Sequence, residues 1–134
     1  MRNNVALSGY GGLGAAVYVA GGSLAATDCE FLDNVAGAAG GALYFSGYDL
    51  ALLLCTFARN SAGGFGGDYL GHGGAMRINS VTNGTMIDCT ISGNTARGAS
   101  PNNGGAQGGG IYLWPDSSSR LDLINTTITN NRAG

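Results

Sequence analysis

The chain has 134 residues, a formal net charge of −2 and 10% charged side chains, well below the roughly one quarter of ordinary domains. Its six basic residues are scattered and leave no nucleic-acid footprint, and no apolar run reaches the length that spans a bilayer. With 44% apolar residues and 26 glycines, the sequence can build a core and has the size of a single domain.

In chain order, Met1-Arg2-Asn3-Asn4-Val5-Ala6 comes first. This polar start lacks the basic and apolar regions of a signal peptide. Residues 9–14 read Gly-Tyr-Gly-Gly-Leu-Gly, a literal Gly-x-Gly-x-x-Gly. A dinucleotide site needs a helix after that motif. Ala15-Ala16-Val17-Tyr18-Val19 follows instead, which is strand-like, so the glycines mark a corner.

Residues 15–37 form a first unit, ending in Cys29-Glu30-Phe31-Leu32-Asp33-Asn34-Val35-Ala36. Asp28 and Glu30 fall on an outward face. A carboxylate pair can bind a cation or assist hydrolysis, but this one reads as solvated surface. Residues 38–63 repeat the phrase as Gly41-Ala42-Leu43-Tyr44-Phe45 and Cys55-Thr56-Phe57-Ala58-Arg59-Asn60-Ser61-Ala62. Here Leu50, Leu52, Leu53 and Leu54 cannot all face inward, so some are expected on the outer face or at a bend, where an exposed apolar strip would be a contact site.

Residues 63–72 are an insert containing Gly63-Gly64-Phe65-Gly66-Gly67-Asp68. This is one copy of a calcium-repeat pattern whose sites draw ligands from neighbouring turns, so a single copy makes no site. The only histidine, His72, reads as a loop residue. Residues 73–96 give a third unit, Gly74-Ala75-Met76-Arg77-Ile78 and Cys89-Thr90-Ile91-Ser92-Gly93-Asn94-Thr95-Ala96, with the sequon Asn83-Gly84-Thr85 at a turn. Residues 97–107, around Pro101-Asn102-Asn103, form the longest loop. Residues 108–134 carry Gly109-Gly110-Ile111-Tyr112-Leu113, the turn Trp114-Pro115-Asp116, a second sequon at Asn125 and a last copy of the phrase.

Asn4, Asn34, Asn60, Asn94 and Asn131 hold one place in the phrase and are 30, 26, 34 and 37 residues apart. A period of this size marks stacked supersecondary units. Each unit is strand-like. Cys29 and Phe31 alternate with polar residues, as do Cys55 and Phe57, Cys89 and Ile91, and Thr126 and Ile128. Thr27, Leu53, Ile87 and Ile124 are expected to extend that inner face by one more step of two. A unit of short strands and glycine corners cannot cover its own apolar face. Winding successive units into a coil puts each residue over its counterpart, roughly 4.8 Å away.

The expected fold is therefore all-β: a right-handed parallel β-helix, a solenoid of about four coils. The coils run roughly over 5–34, 35–60, 61–94 and 95–131 of a single unit covering 1–134. Handedness follows from the general chirality of parallel connections. With no polar or helical cap at either end, a segment of a longer array is expected.

The phrases Gly40-Gly41-Ala42-Leu43-Tyr44 and Phe57-x-x-Asn60 resemble the repeats of chlamydial polymorphic outer membrane proteins and related surface β-helices of the pectin-lyase-like type. Gly73-Gly74-Ala75-Met76 and Gly108-Gly109-Gly110-Ile111-Tyr112 match more loosely, and Ile91 and Ile128 stand where the family has Phe. The resemblance implies the coiled fold and a surface location. It implies little about activity, since such folds host enzymes, adhesins and spacers. Gly71-His72-Gly73 is similar to a polygalacturonase motif, but no paired aspartates precede it.

Stacking turns single residues into columns. The five asparagines are expected to form a ladder of side-chain amides, since a buried amide must be satisfied; a mere turn preference of Asn is the alternative. Tyr18, Tyr44, Arg77 and Tyr112 align outward as a candidate contact stripe. Thr56, Thr90 and Thr127, with Ser92 and Thr129 beside the last two, form an outward file of the kind that orders water in ice-binding proteins, broken by Glu30 and Leu32 in the first coil. Cys29, Cys55 and Cys89 are expected to be free thiols in the core, because parallel Cβ vectors suit a disulfide poorly.

The function expected from these readings is a non-catalytic structural or adhesive segment of an extracellular or cell-surface protein or filament. Its stripe and edge loops would meet a protein or glycan partner or neighbouring repeats, with Asn83 and Asn125 as candidate glycosylation sites. No cofactor, metal, nucleic acid or membrane-spanning segment is expected. The competing readings are a polysaccharide lyase or hydrolase, for which Asp28, Glu30 and Asp88 are the only candidate acids, and an ice-binding protein.

Overall fold

The structure is a computed structural model that describes residues 1–7, 11–63, 70–98 and 105–134. The described residues contain strands and no helix. Four parallel sheets are built in strict rotation. The first holds β1 (Val5–Ala6), β5 (Val35–Ala36), β9 (Ser61–Ala62), β13 (Thr95–Ala96) and β17 (Arg132–Ala133). The second holds β2 (Val17–Ala20), β6 (Leu43–Ser46), β10 (Met76–Ile78) and β14 (Ile111–Leu113). The third holds β3 (Leu24–Thr27), β7 (Asp49–Leu53), β11 (Asn83–Ile87) and β15 (Leu121–Ile124). The fourth holds β4 (Glu30–Leu32), β8 (Thr56–Ala58), β12 (Thr90–Ser92) and β16 (Thr127–Thr129). The chain thus visits the sheets in turn, and each strand lies beside the one laid down a round earlier.

One left-handed residue turns each of three corners. Between the first and second sheets it is Gly14, Gly40, Gly73 or Gly108, with φ of 56, 60, 70 and 63°. The glycine that follows is needed for a different reason. A Cβ on Gly41 would lie 2.0 Å from the carbonyl oxygen of Gly74, and one on Gly74 would lie 2.1 Å from that of Gly109. The paired glycines of the repeat thus combine a conformation and a close backbone approach, both of which exclude larger residues. The third-to-fourth corner uses Asp28, Leu54, Asp88 and Asn125, at φ of 53, 55, 52 and 48°. The fourth-to-first corner uses Asn3, Asp33, Arg59, Gly93 and Asn130. Asn and Asp tolerate this region best among residues with a side chain.

Inner faces of the sheets share one core. Leu43, Phe45, Met76 and Ile78 come from the second sheet, Leu50, Leu52 and Met86 from the third, and Phe31, Phe57 and Ile91 from the fourth. Phe31 and Phe57 stack at 4.4 Å between ring centroids. Cys55 and Cys89 are buried and Cys29 is half-buried; all three are free. Their thiols donate to carbonyl oxygens, Cys55 to Leu53 at 3.3 Å and Cys89 to Ile87 at 3.3 Å, and burial pushes the Cys55 thiol up.

The expectation that Thr27, Leu53, Ile87 and Ile124 continue the inner face is overturned. Thr27 is exposed, Ile87 is half-buried, and Leu53 and Ile124 are 38% and 51% exposed. The buried residues are their neighbours Leu52 and Met86. The left-handed residue before each cysteine turns the chain through a corner, so alternation restarts there instead of running through it. Within the leucine run, Leu50 and Leu52 are buried while Leu53 and Leu54 face solvent.

Candidate functional site

The outer face of the second sheet carries an aligned set of aromatic and cationic side chains. The register pairs Tyr18 with Tyr44, Tyr44 with Arg77, and Arg77 with Tyr112. Because Val17, Leu43, Met76 and Ile111 face inward, the residues that follow them must face out. The rings of Tyr18 and Tyr44 stack at 5.0 Å with 16° between planes. The Arg77 guanidinium carbon lies 5.9 Å from the Tyr44 centroid and 5.6 Å from that of Tyr112. The cation therefore fills the gap between two aromatic rungs. Stacking of this kind contributes about 0.5–1.5 kcal/mol per pair beyond area burial, and an exposed cation–π contact about 0.5–1 kcal/mol.

Three further residues belong to this surface, and the sequence reading did not include them. Asn79 lies two positions after Arg77, hence on the same face; its Oδ1 accepts from Arg77 Nε at 2.7 Å, and its Nδ2 donates to the Tyr44 hydroxyl at 2.5 Å. Trp114 is 60% exposed and tilts against Tyr112 at 6.1 Å. His72, read from sequence as a plain loop residue, sits in a parallel bridge column, Leu13–Ala39–His72–Gln107. Its ring stacks on Tyr112 at 4.7 Å. Its Nδ1 is buried without a partner among the described residues. Burial, with Arg77 nearby, holds the imidazole below its ordinary value of 6.5. The signal was present: His72 stands immediately before Gly73-Gly74, where Ala39 precedes Gly40-Gly41 and Gln107 precedes Gly108-Gly109.

The asparagines form a one-way chain. The backbone and side-chain nitrogens of Asn34 both donate to Asn60 Oδ1, at 3.0 and 2.9 Å. Asn60 does the same to Asn94 at 2.8 and 2.9 Å, and Asn94 to Asn131 at 3.0 and 2.9 Å. Asn4 joins at the other end, its side chain donating to Asn34 Oδ1 at 2.8 Å. Asn34, Asn60 and Asn94 are the buried polar residues among those described, and each meets the requirement that a buried amide be paired.

Both sequon asparagines are exposed and engaged by a carboxylate. Asn83 Nδ2 donates to Asp49 Oδ1 at 3.0 Å, and Asn125 Nδ2 donates to Asp88 Oδ1. Asp49 also accepts from Ser23 at 2.9 Å; with the Asn83 bond first, these hold its carboxyl below the usual range. The acids considered for hydrolysis do not converge. Leu54 stands in the column between Asp28 and Asp88, and Glu30 is taken by Arg2 at 2.6 Å. Thr56, Thr90 and Thr127 are in register, with Glu30 next to Thr56.

Among the described residues, no three His, Cys, Asp or Glu side chains are grouped to hold a metal ion. No described helix is long and apolar enough to cross a membrane. Residues 8–10 of the Gly-x-Gly-x-x-Gly region, the calcium-like pattern from Gly64 to Asp68, and Pro101-Asn102-Asn103 lie wholly or largely outside the described residues. Comparison with family models, curated proteins and solved structures gives no match.

Proposed function

We propose that the chain is a right-handed parallel β-helix acting as a non-catalytic structural or adhesive segment of an extracellular or cell-surface protein or filament. Its stripe of Tyr18, Tyr44, Arg77 and Tyr112 meets a protein or glycan partner. The observation that carries this reading is the stripe itself: stacked aromatic and cationic groups on four successive rounds, held by Asn79 and flanked by His72 and Trp114. Aromatic and arginine side chains with few neighbouring charges are the residues that anchor recognition surfaces. His72 and Gln107, at the described ends of the inserts 63–72 and 97–107, pair with each other, and His72 stacks on Tyr112 of the stripe. The similarity of the repeats to surface β-helices supports the same reading.

A glycan and surface-protein array, run with lyase and hydrolase assays on polysaccharides, tests it. Binding without turnover is expected, and turnover would sink the scaffold reading in favour of a polysaccharide-degrading enzyme. The aligned threonines of the fourth sheet favour ice binding as a second reading. A thermal-hysteresis measurement decides that one, with no hysteresis expected because Glu30 interrupts the file.

A further inference from the structure

We propose that Arg77 makes the stripe selective for a glycan bearing an oxyanion, a carboxylate or a sulfate ester on a sugar; this rests on the contact-stripe reading above. The guanidinium is held from three sides. Tyr44 and Tyr112 lie against it at 5.9 and 5.6 Å, and Asn79 Oδ1 takes Nε at 2.7 Å. Asn79 is itself held by the Tyr44 hydroxyl. No described residue accepts a hydrogen bond from the two Nη atoms, which are the pair that grips an oxyanion in bidentate fashion.

Local charge agrees. Arg2, Arg59 and Arg120 each have a carboxylate within 2.7 Å. Arg77 has no such ion pair among the described residues, and β2, β6, β10 and β14 contain no acidic residue. Of the described carboxylates just beyond these strands, Asp49 is taken by Ser23 and Asn83, and Asp116 by Ser118 and Ser119. A half-buried cation fixed between neutral rings, with its donor pair unused, is a built receptor for one negative charge.

A glycan fits better than an acidic peptide. An extended peptide gains affinity by adding main-chain hydrogen bonds at a sheet edge. The stripe runs across four strands that are already paired with one another, so it offers side chains only. Those side chains include the phenol hydroxyls of Tyr18 and Tyr112, the indole of Trp114 and the Nη edge of Arg77, which match the hydroxyls and the charge of an acidic sugar.

The test is a binding titration of the whole chain against matched neutral, carboxylated and sulfated oligosaccharides and an acidic peptide. It uses wild type, Arg77→Gln and Arg77→Lys, with thermal melting showing that each variant folds. The expected result is at least about tenfold preference for one oxyanion-bearing glycan over its neutral counterpart, lost in Arg77→Gln and only partly kept in Arg77→Lys. The preferred arm identifies carboxylate or sulfate. Equal binding of neutral and charged glycans, or equal binding by wild type and Arg77→Gln, overturns the inference and leaves the stripe reading standing. Binding of the acidic peptide alone also overturns it, in favour of a protein partner. Absence of binding in every arm removes the inference, and if the surface-protein array is also blank, the stripe reading goes with it.

Discussion

The asparagine column shows how little at the residue scale is interchangeable. Asn60 is 1% exposed, and its amide serves Asn34, Phe31 and Asn94 at once. Asn60→Ala strands several buried donors and acceptors together, so a loss of at least about 3 kcal/mol is expected in denaturant unfolding. Asn4→Ala at the half-buried end of the column is expected to cost only about 1 kcal/mol in the same experiment. His72 supplies a pH signature. Its folded value is held below 6.5, by burial first and Arg77 second, so the unfolded chain binds the proton more readily. The contribution is neutral above 6.5 and turns destabilising as pH falls through and below it. Melting temperature is expected to drop on acidification through this window, and His72→Phe is expected to flatten that part of the profile.

At the scale of the strand and its corners, Leu54 is the exposed exception. Asp28, Asp88 and Asn125 fill the same left-handed position in the other rounds, which Asn and Asp adopt at lower cost than an apolar side chain. Leu54 is also 53% exposed, so little packing offsets the strain. Leu54→Asn is expected to raise stability by roughly 1 kcal/mol, read as a shift in denaturant midpoint without a change of slope. Arg59 occupies the equivalent slot one corner on, but it grips Asp33 through two bonds of 2.7 and 2.8 Å. These corners also mark the limit of what periodicity could reveal. The all-β class and the parallel stacking were legible, because Gly-Gly-Ala and the asparagine phrase recur in one register. The inward or outward sense of Thr27, Leu53, Ile87 and Ile124 was not. A left-handed residue resets the alternation, and its identity varies between Asp, Leu and Asn. The stripe was readable as a column, and the place of His72 in the round was readable from Gly73-Gly74 after it, but its ring contact was not. Its stacking on Tyr112 arises only when one round is laid on the next.

Over the whole molecule, burial is graded from round to round. Phe57 and Ile91 are fully buried, whereas their counterpart Ile128 is 47% exposed, and Leu123 is likewise 47% exposed below the buried Met86. Stability in such an array is a sum of local and nearest-neighbour terms. Hydrogen exchange is therefore expected to be slowest in β6–β8 and β10–β12 and fastest in β14–β17, with no single cooperative limit shared by all strands. Uniform protection across the chain would contradict this.

The asparagine chain has an arrow: each side-chain amide from Asn4 to Asn94 donates to the Oδ1 of the next higher-numbered asparagine, and the column ends at Asn131, whose Nδ2 donates to the Ile91 carbonyl. A column with a direction can be lengthened without being redesigned. Any extra turn of chain that brings its own amide to that slot inherits a ready acceptor on one side and ready donors on the other, whatever its loops contain. That tolerance gives duplication a low threshold, and it accounts for spacings as uneven as 26 and 37 residues sharing one internal spine.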